Sequence, residues 1–217
     1  MSMCDWEANL NTYWIKYASK VSSRDKLYRF FQYFAKMMHF QLKQSGAPSE
    51  TVKWVKHVSS TLSTGRKFIR LGKFVDNLYK AYKHLCKYSI SLTSEKELVQ
   101  VMTLMSYIAD TIFYVWDFIV WGEAAKIWAF PHLNAKLRRT RWNMYRYGLK
   151  AVKDYIKLRT LRSGSVQWYS TRRIAIKSSL DVLNPLQSLG YNDLNGGQIG
   201  LIGVVTSCIS IFDDFNK

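Results

Sequence analysis

Cysteine, proline and glycine are scarce in this sequence. Its 217 residues include three cysteines, three prolines and 11 glycines. Cys4, Cys86 and Cys208 are odd in number and far apart, which argues against a disulfide framework and against a thiolate metal site. Because residues that break helices are so few, long uninterrupted helices are expected. The scarcity therefore excludes a small disulfide-stabilised fold and predicts an all-α chain.

Acidic residues are also few. The chain carries 15 Asp and Glu against 32 Lys and Arg, a formal net charge of +17, while 48% of its residues are hydrophobic. Hydrophobic content this high argues against disorder. The charge predicts an anionic partner, which composition leaves open among nucleic-acid phosphates, acidic lipid headgroups and an acidic protein.

Motifs of enzyme active sites are missing from the sequence. His39, His57, His84 and His132 form no HExxH or comparable ligand motif, and no GxxxxGK phosphate loop occurs. We therefore predict no catalytic residue, no metal site and no cofactor. No nucleic-acid-binding module or zinc spacing is recognisable, so no nucleic-acid partner is expected. A basic helical nucleic-acid-binding protein nevertheless stays an alternative, because cationic charge with many aromatic residues suits phosphate contact and base stacking.

The segment Arg66–Leu85 has two faces of different polarity at 100° per residue. The apolar face holds Phe68, Leu71, Phe74, Val75, Leu78, Tyr82 and Leu85, and the polar face holds Arg66, Arg70, Lys73, Asn77, Lys80 and His84. This pattern predicts one basic amphipathic helix, of the kind that lies at a membrane surface. Packing against a protein core, or insertion into a partner's groove, fits the same periodicity.

Leu98–Trp121 is the first candidate membrane segment. Its 24 residues carry only two charges, Asp110 and Asp117, and would rise about 36 Å as a helix, enough to cross a bilayer. A central carboxylate costs about 2.5–3.5 kcal/mol, so insertion as a lone helix is marginal. The two carboxylates are seven residues apart, nearly on one face, so the segment either hides both against other helices or places Asp117 near the interface. Burial in a soluble bundle is the competing interpretation.

Asn195–Phe212 is the second candidate, with 18 residues and no charge. As a helix it would be about 27 Å long, just enough for a bilayer core. A stripe of small residues runs along one face and comprises Gly196, Gly200, Gly203, Ser207 and Ser210. Such a stripe favours close helix pairing in lipid, although a glycine-rich helix in a soluble core has the same pattern.

The stretch between these candidates, Lys136–Arg162, forms a second cationic face. Adsorption to a surface, packing against another helix and simple solvation of the charges all fit it.

Four segments, taken in order, carry a resemblance to one protein family. They are Ser23–Tyr33, with Arg-Asp-Lys before an aromatic helix; Gly65–Phe74, with Arg-Lys-x-x-Arg-Leu-x-Lys; Trp116–Trp121, which contains Asp-x-x-x-Trp; and the glycine-rich apolar tail. Together they resemble the peroxin-11 family of peroxisomal membrane proteins, whose members promote peroxisome elongation and division. Each motif is weak by itself, and their order and spacing carry the resemblance.

The resemblance implies an all-α, membrane-associated helical bundle with amphipathic helices and one or two hydrophobic membrane segments. It implies a single domain over residues 1–217, with amphipathic helices (1–97), a candidate membrane segment (98–121), a basic helical region (122–193) and a candidate membrane helix (194–213). It also implies no enzyme activity and a place in the membrane of a peroxisome, or of a specialised peroxisome such as a glycosome.

We hypothesise that the Arg66–Leu85 segment remodels this membrane. The cations expected to bind lipid headgroups are Arg66, Lys67, Arg70, Lys73 and Lys80, and the side chains expected to insert are Phe68, Leu71, Phe74, Val75, Leu78 and Tyr82. Attraction of about 1 kcal/mol per cation would hold the helix at the surface before its apolar face enters. The predicted partners are anionic membrane lipids, a second copy of the chain and membrane-fission machinery, with the small-residue stripe expected to mediate the self-association.

Asp110 and Asp117 support an alternative function. Carboxylates inside a membrane often mark ion or metabolite paths, so a peroxisomal membrane channel for small metabolites is the second hypothesis.

Overall fold

A computed structural model describes residue 17, residues 19–88 and residues 94–215. Within these residues every regular element is helical, which confirms the predicted all-α fold. The helices are α1 (Val21–Gln44), α2 (Ser49–Ile69), α3 (Lys73–Lys87), α4 (Glu95–Ala124), α5 (Ala135–Thr160), α6 (Val166–Ser188) and α7 (Gly196–Phe215), with a short 3-10 turn at Pro131–Leu133. Cys4 lies outside the described residues.

The helices divide into two compact units. The first, Met1–Ile69 with Gly196–Lys217, contains α1, α2 and α7, and the second, Arg70–Asn195, contains α3 to α6. The first unit is discontinuous in sequence because α7 returns to pack on α1. The prediction of a single domain over residues 1–217 stays a prediction.

Two helices are long and apolar enough to cross a membrane, judged by length and composition within the described residues. They are Glu95–Ala124 and Gly196–Phe215. The first contains the predicted segment Leu98–Trp121, and the second contains all of Asn195–Phe212 except Asn195. α4 begins three residues earlier than predicted because Ser94 and Glu97 form a capping box. The Ser94 hydroxyl accepts a hydrogen bond from the Glu97 amide at 3.3 Å, and the Glu97 carboxylate accepts one from the Ser94 amide at 3.2 Å.

The prediction of one continuous helix over Arg66–Leu85 is wrong at residues 70–72. α2 ends at Ile69 and α3 begins at Lys73. Between them Gly72 adopts φ +83° and ψ −13°, a left-handed conformation that interrupts a right-handed helix and that glycine adopts without steric cost. Hydrophobic periodicity did not reveal the break because the apolar spacing continues through it.

Replacing Gly72 with alanine should lower the free energy of unfolding by about 1–2 kcal/mol, because a Cβ atom is unfavourable at positive φ. Open space surrounds that Cβ position, so a loss of stability would report the backbone conformation alone. Denaturant unfolding of the full chain in detergent, followed by circular dichroism, would measure it.

The matched control for that change is Gly148→Ala in α5, where open space also surrounds the Cβ position. It should leave stability unchanged or raise it by up to about 1 kcal/mol, because alanine favours helix over glycine. Equal stabilities of the two variants would contradict the assignment of strain to position 72.

Candidate membrane-binding site

α3 presents an apolar stripe on its exposed side. The stripe consists of Val75, Leu78, Tyr79, Tyr82 and Leu85, which recur at intervals of three and four residues. Leu78 is 60% exposed and Tyr82 is 64% exposed. The opposite side of α3, which includes Asn77 and Ala81, is buried, and α3 packs against α4. The buried residues of α3 are thus one polar and one small residue, while most of its large apolar side chains are exposed, unlike the apolar face of a helix that covers a protein core.

The six predicted membrane-inserting residues do not form one helical face. Phe68 is exposed but belongs to α2, in the other compact unit, and Leu71 lies half-buried in the turn before α3. Phe74 is half-buried on α3. Val75, Leu78 and Tyr82 are the three that share the exposed stripe. Tyr79 and Leu85 complete it, and neither was among the predicted insertion residues.

Two of the five predicted headgroup-binding cations are engaged inside the protein. Arg66 places Nε 3.0 Å from Asp25 Oδ1 and donates from Nη1 to Gln32 Oε1 at 2.7 Å. Arg70 is buried, with Nη2 3.3 Å from Asp117 Oδ2. These contacts give Arg66 and Arg70 structural roles.

The other three predicted cations differ in exposure. Lys67 and Lys73 are half-buried, and the Lys73 ammonium lies 6.0 Å from the Tyr114 ring centroid. Lys80 is exposed on α3. Headgroup binding by these three lysines stays a prediction.

Asp110 and Asp117 of α4 are buried and ion-paired with α5. Arg139 Nε lies 2.5 Å from Asp117 Oδ1, and Lys150 Nζ lies 2.7 Å from Asp110. Arg146 Nη1 is 3.5 Å from Asp110 Oδ1. Buried charges are tolerated when they are paired in this way. Of the placements that the sequence left open, the structure thus shows both carboxylates turned against a neighbouring helix.

The register of the α4–α5 hairpin explains this pairing. Asp117 is seven residues after Asp110, and Arg146 is seven residues after Arg139. In an antiparallel pair of helices, a residue earlier on one helix faces a residue later on the other. Asp117 faces Arg139. Asp110, seven residues earlier on α4, faces Arg146, seven residues later on α5. The guanidinium of Arg146 also lies 3.8 Å from the Phe113 ring centroid, a cation–π contact.

Sequence reasoning missed the specific role of these α5 cations. It treated Lys136–Arg162 as an exterior basic face or a packing helix without assigning partners. The matching intervals of seven residues in two oppositely charged segments were the available signal, because residues seven apart share one helix face.

The small-residue stripe of α7 packs against α1 of the same chain. A Cβ atom added at Gly203 would lie 2.1 Å from the Tyr33 ring, and one added at Gly200 would lie 2.7 Å from the Met37 backbone nitrogen. A Cβ atom added at Gly196 would lie 3.6 Å from the Phe40 ring, an ordinary contact distance. Glycine thus permits a helix–helix approach that any side chain would block.

Polar contacts extend the α1–α7 interface. Ser207 is fully buried on α7, and its hydroxyl is satisfied within that helix by donating to the Gly203 carbonyl oxygen at 2.6 Å. Arg29 of α1 donates to the Thr206 hydroxyl at 2.9 Å, and Lys26 forms an ion pair with Asp214. Self-association through the stripe stays a prediction, because in this structure α1 occupies that face.

The sequence as a whole matches a known family. A family model described as Peroxisomal biogenesis factor 11 (PEX11) matches residues 12–168 and 165–214. The chain belongs to the PEX11 family. This confirms the predicted resemblance, and it makes the chain a peroxisomal membrane protein involved in peroxisome biogenesis.

Individual PEX11 relatives align over most of their length. Peroxisomal biogenesis factor 11 of Schizosaccharomyces pombe is 22% identical over 91% of this chain and 92% of the relative. Peroxisomal membrane protein 11A of Homo sapiens is 24% identical over 88% of this chain and 91% of the relative. Peroxisomal membrane protein 11B of Homo sapiens is 24% identical over 68% of this chain and 55% of the relative. No solved structure shows a significant match.

Membership in the PEX11 family also bears on the prediction that the chain has no enzyme activity. PEX11 proteins are peroxisome biogenesis factors. Within the described residues, no group of three or more His, Cys, Asp or Glu side chains is arranged to hold a metal ion.

Proposed function

We propose that this PEX11 family member remodels the peroxisomal membrane by inserting the α3 stripe into one leaflet, and that it thereby promotes peroxisome elongation, division and proliferation. The observation that supports this is the exposed row formed by Val75, Leu78, Tyr79, Tyr82 and Leu85. A wedge that enters one leaflet expands that leaflet relative to the other, which favours curvature.

The energetics of the stripe suit shallow insertion. Full burial of a large apolar side chain returns about 1.5–3 kcal/mol. The stripe residues are each about half exposed or more, so we estimate that moving them from water into the acyl boundary returns on the order of 5 kcal/mol. That is enough to hold the helix at the surface.

Lysines on α3 flank the stripe. Lys80, Lys83 and Lys87 are all exposed, and the Lys83 ammonium lies 4.7 Å from the Tyr79 ring centroid. Lysine stems lie along apolar surface while their charged ends stay in the headgroup layer, and each adds about 1 kcal/mol near an anionic surface. Anionic lipids are therefore the proposed binding partner. For headgroup binding we propose Lys80, Lys83 and Lys87, with Lys83 and Lys87 replacing Arg66 and Arg70 of the sequence-based prediction.

The double variant Leu78→Asp/Tyr82→Asp should lose most membrane tubulation. A carboxylate in the bilayer interior costs about 2.5–3.5 kcal/mol, so at interfacial depth we expect tubule formation to fall by about tenfold or more. Electron microscopy of full-length protein reconstituted into phosphatidylcholine–phosphatidylserine vesicles would measure it. Peroxisome length after overexpression of the same variant gives the readout in cells.

The matched control is Val166→Asp/Tyr191→Asp. It makes the same kind of change at two exposed positions outside α3, where Val166 is 87% exposed and Tyr191 is 71% exposed. The control should tubulate membranes as the wild type does. Wild-type activity in the α3 variant would refute the stripe as the inserting element.

Two further parts of the functional hypothesis are also proposals. Self-association would concentrate the stripes, and contact with membrane-fission machinery would complete division. A metabolite channel lined by Asp110 and Asp117 gains no support from the geometry, because α5 supplies a cation to each carboxylate.

A further inference from the structure

A polar cleft lies between α1 and α2, and none of its lining residues belongs to the α3 stripe. Its volume is about 370 Å³, within the range of small-molecule sites of about 300–1,000 Å³. The side chains that matter for its chemistry are Lys36, His39, Lys56, Ser60, Ser63 and Lys67. Those on α2 recur at intervals of three and four residues, and Lys36 and His39 are three apart on α1, so each helix turns one polar face toward the cleft.

The charge in this cleft is of one sign. Three lysines and a histidine line it, and no Asp or Glu is among the described residues that do so. Like charges close together repel one another, so an anion in the cleft would relieve that repulsion. Burial also lowers the pKa of Lys36 from its ordinary value, because removing an ammonium from water disfavours its charged form.

Neutral donors are held in place around these cations. Gln32 also lines the cleft, and its side-chain oxygen accepts from Arg66 Nη1 at 2.7 Å. Arg66 is itself held by its ion pair with Asp25. Because the side-chain oxygen of Gln32 accepts from Arg66, the NH₂ group of Gln32 is the part of the amide that can donate to a ligand. Ser59 donates its hydroxyl to the Gln32 main-chain oxygen at 3.2 Å, which ties α2 to α1 at the cleft.

We propose that the α1–α2 cleft binds a compact anion with several phosphate groups, such as a phosphorylated inositol ring. Lysine ammonium groups bind phosphate as point charges, and hydroxyl and amide groups donate to the remaining oxygens. Planar carboxylates are better matched by the fork of arginine, and no arginine is among the described residues that line the cleft. From Lys56 to Lys67 the cations extend about 16 Å along α2, a length that suits more than one phosphate.

The same phosphorylated ring can reach the cleft from two sources. It can be a soluble inositol phosphate or the headgroup of a phosphoinositide lipid. The proposal concerns the chemistry that both share, and it does not depend on insertion of the α3 stripe.

Binding of myo-inositol hexakisphosphate to the full-length protein in uncharged detergent, measured by titration calorimetry, tests the cleft. A parallel titration with micelles containing phosphatidylinositol 4,5-bisphosphate tests the lipid source. Lys36→Met should weaken binding about tenfold or more while leaving the melting temperature unchanged or higher, because the variant removes a partly buried ammonium. A residue that served only the fold would not give weaker binding together with unchanged or greater stability.

The matched control is Lys43→Met, the same change at an exposed lysine seven residues further along α1 and outside the cleft lining. It should leave binding unchanged. A second cleft variant, Ser60→Glu, places a carboxylate at an exposed lining position, where it should abolish binding by repulsion without disturbing packing.

The results separate the two sources and leave room for refutation. Lys36-dependent binding that is tighter to the soluble probe than to the phosphoinositide micelles supports a soluble anion. Binding that is tighter to the micelles, or seen only with them, supports a lipid headgroup. Absence of binding to both probes overturns the proposal. Equal losses in the Lys36 and Lys43 variants, or wild-type affinity in Ser60→Glu, overturn it as well.

Discussion

Replacing Asp117 with alanine should lower the free energy of unfolding by about 3–5 kcal/mol, because removing one member of a buried ion pair leaves the opposite charge uncompensated. Asp117 is 2% exposed and lies within ion-pair distance of both Arg139 and Arg70. The variant therefore leaves two guanidinium groups without their carboxylate. Denaturant unfolding of the full chain in detergent, followed by circular dichroism, would measure the loss.

The control for Asp117→Ala is Glu50→Ala. Glu50 and Lys53 form an ion pair at 3.8 Å with both side chains largely exposed, and such surface pairs contribute about 0–1 kcal/mol. The double variant Asp117→Ala/Arg139→Met should recover part of the lost stability, because it removes one of the two stranded charges. A loss below about 1 kcal/mol for Asp117→Ala would show that this ion pair does not hold the α4–α5 hairpin together.

Replacing Gly203 with leucine should separate α7 from α1 and cost about 3 kcal/mol or more, beyond the usual range for overpacking in a core. Even the first atom of the new side chain would lie 2.1 Å from the Tyr33 ring, so the helices must move apart. That movement would also disturb the Arg29–Thr206 and Lys26–Asp214 contacts further along the interface. The same unfolding measurement applies.

Gly65→Leu provides the comparison for this substitution. Gly65 lies within a helix of the same compact unit, and open space surrounds its Cβ position. Leucine has a higher helix propensity than glycine, so this variant should be as stable as the wild type or more so. If Gly203→Leu were equally stable, close packing of α7 on α1 would be ruled out.

The buried pairs also constrain how α4 relates to a membrane. Asp110 alone would make insertion of this segment costly, by about 2.5–3.5 kcal/mol for a carboxylate near the centre. With Lys150 and Arg146 beside Asp110, and Arg139 beside Asp117, the carboxylates are compensated by α5. A membrane-crossing α4 therefore needs α5 against it, and we regard the two helices as one unit in any insertion step.

Much of the candidate site could be predicted from local pattern. The spacing of Val75, Leu78 and Tyr82 placed them on one face of a basic helix, and the structure leaves that face exposed. Leu71 and Phe74 followed the same spacing yet lie half-buried. A helical wheel assumes an unbroken helix, whereas Leu71 lies in the turn between α2 and α3. Phe74 belongs to α3, and its burial depends on the packing of that helix, which periodicity does not specify.

Residue chemistry and periodicity were sufficient to predict an all-α protein with two apolar segments and a basic amphipathic stretch. The order of four short motifs predicted the PEX11 family, and the family model shows it. These properties are local or follow from motif order. Tertiary packing decided which charges remain available, because Arg66, Arg70, Arg139 and Arg146 each bind a carboxylate distant in sequence. It also decided that the glycines of α7 pack against α1. Shape complementarity between helices depends on which helix is the neighbour, and the sequence of one helix does not specify that.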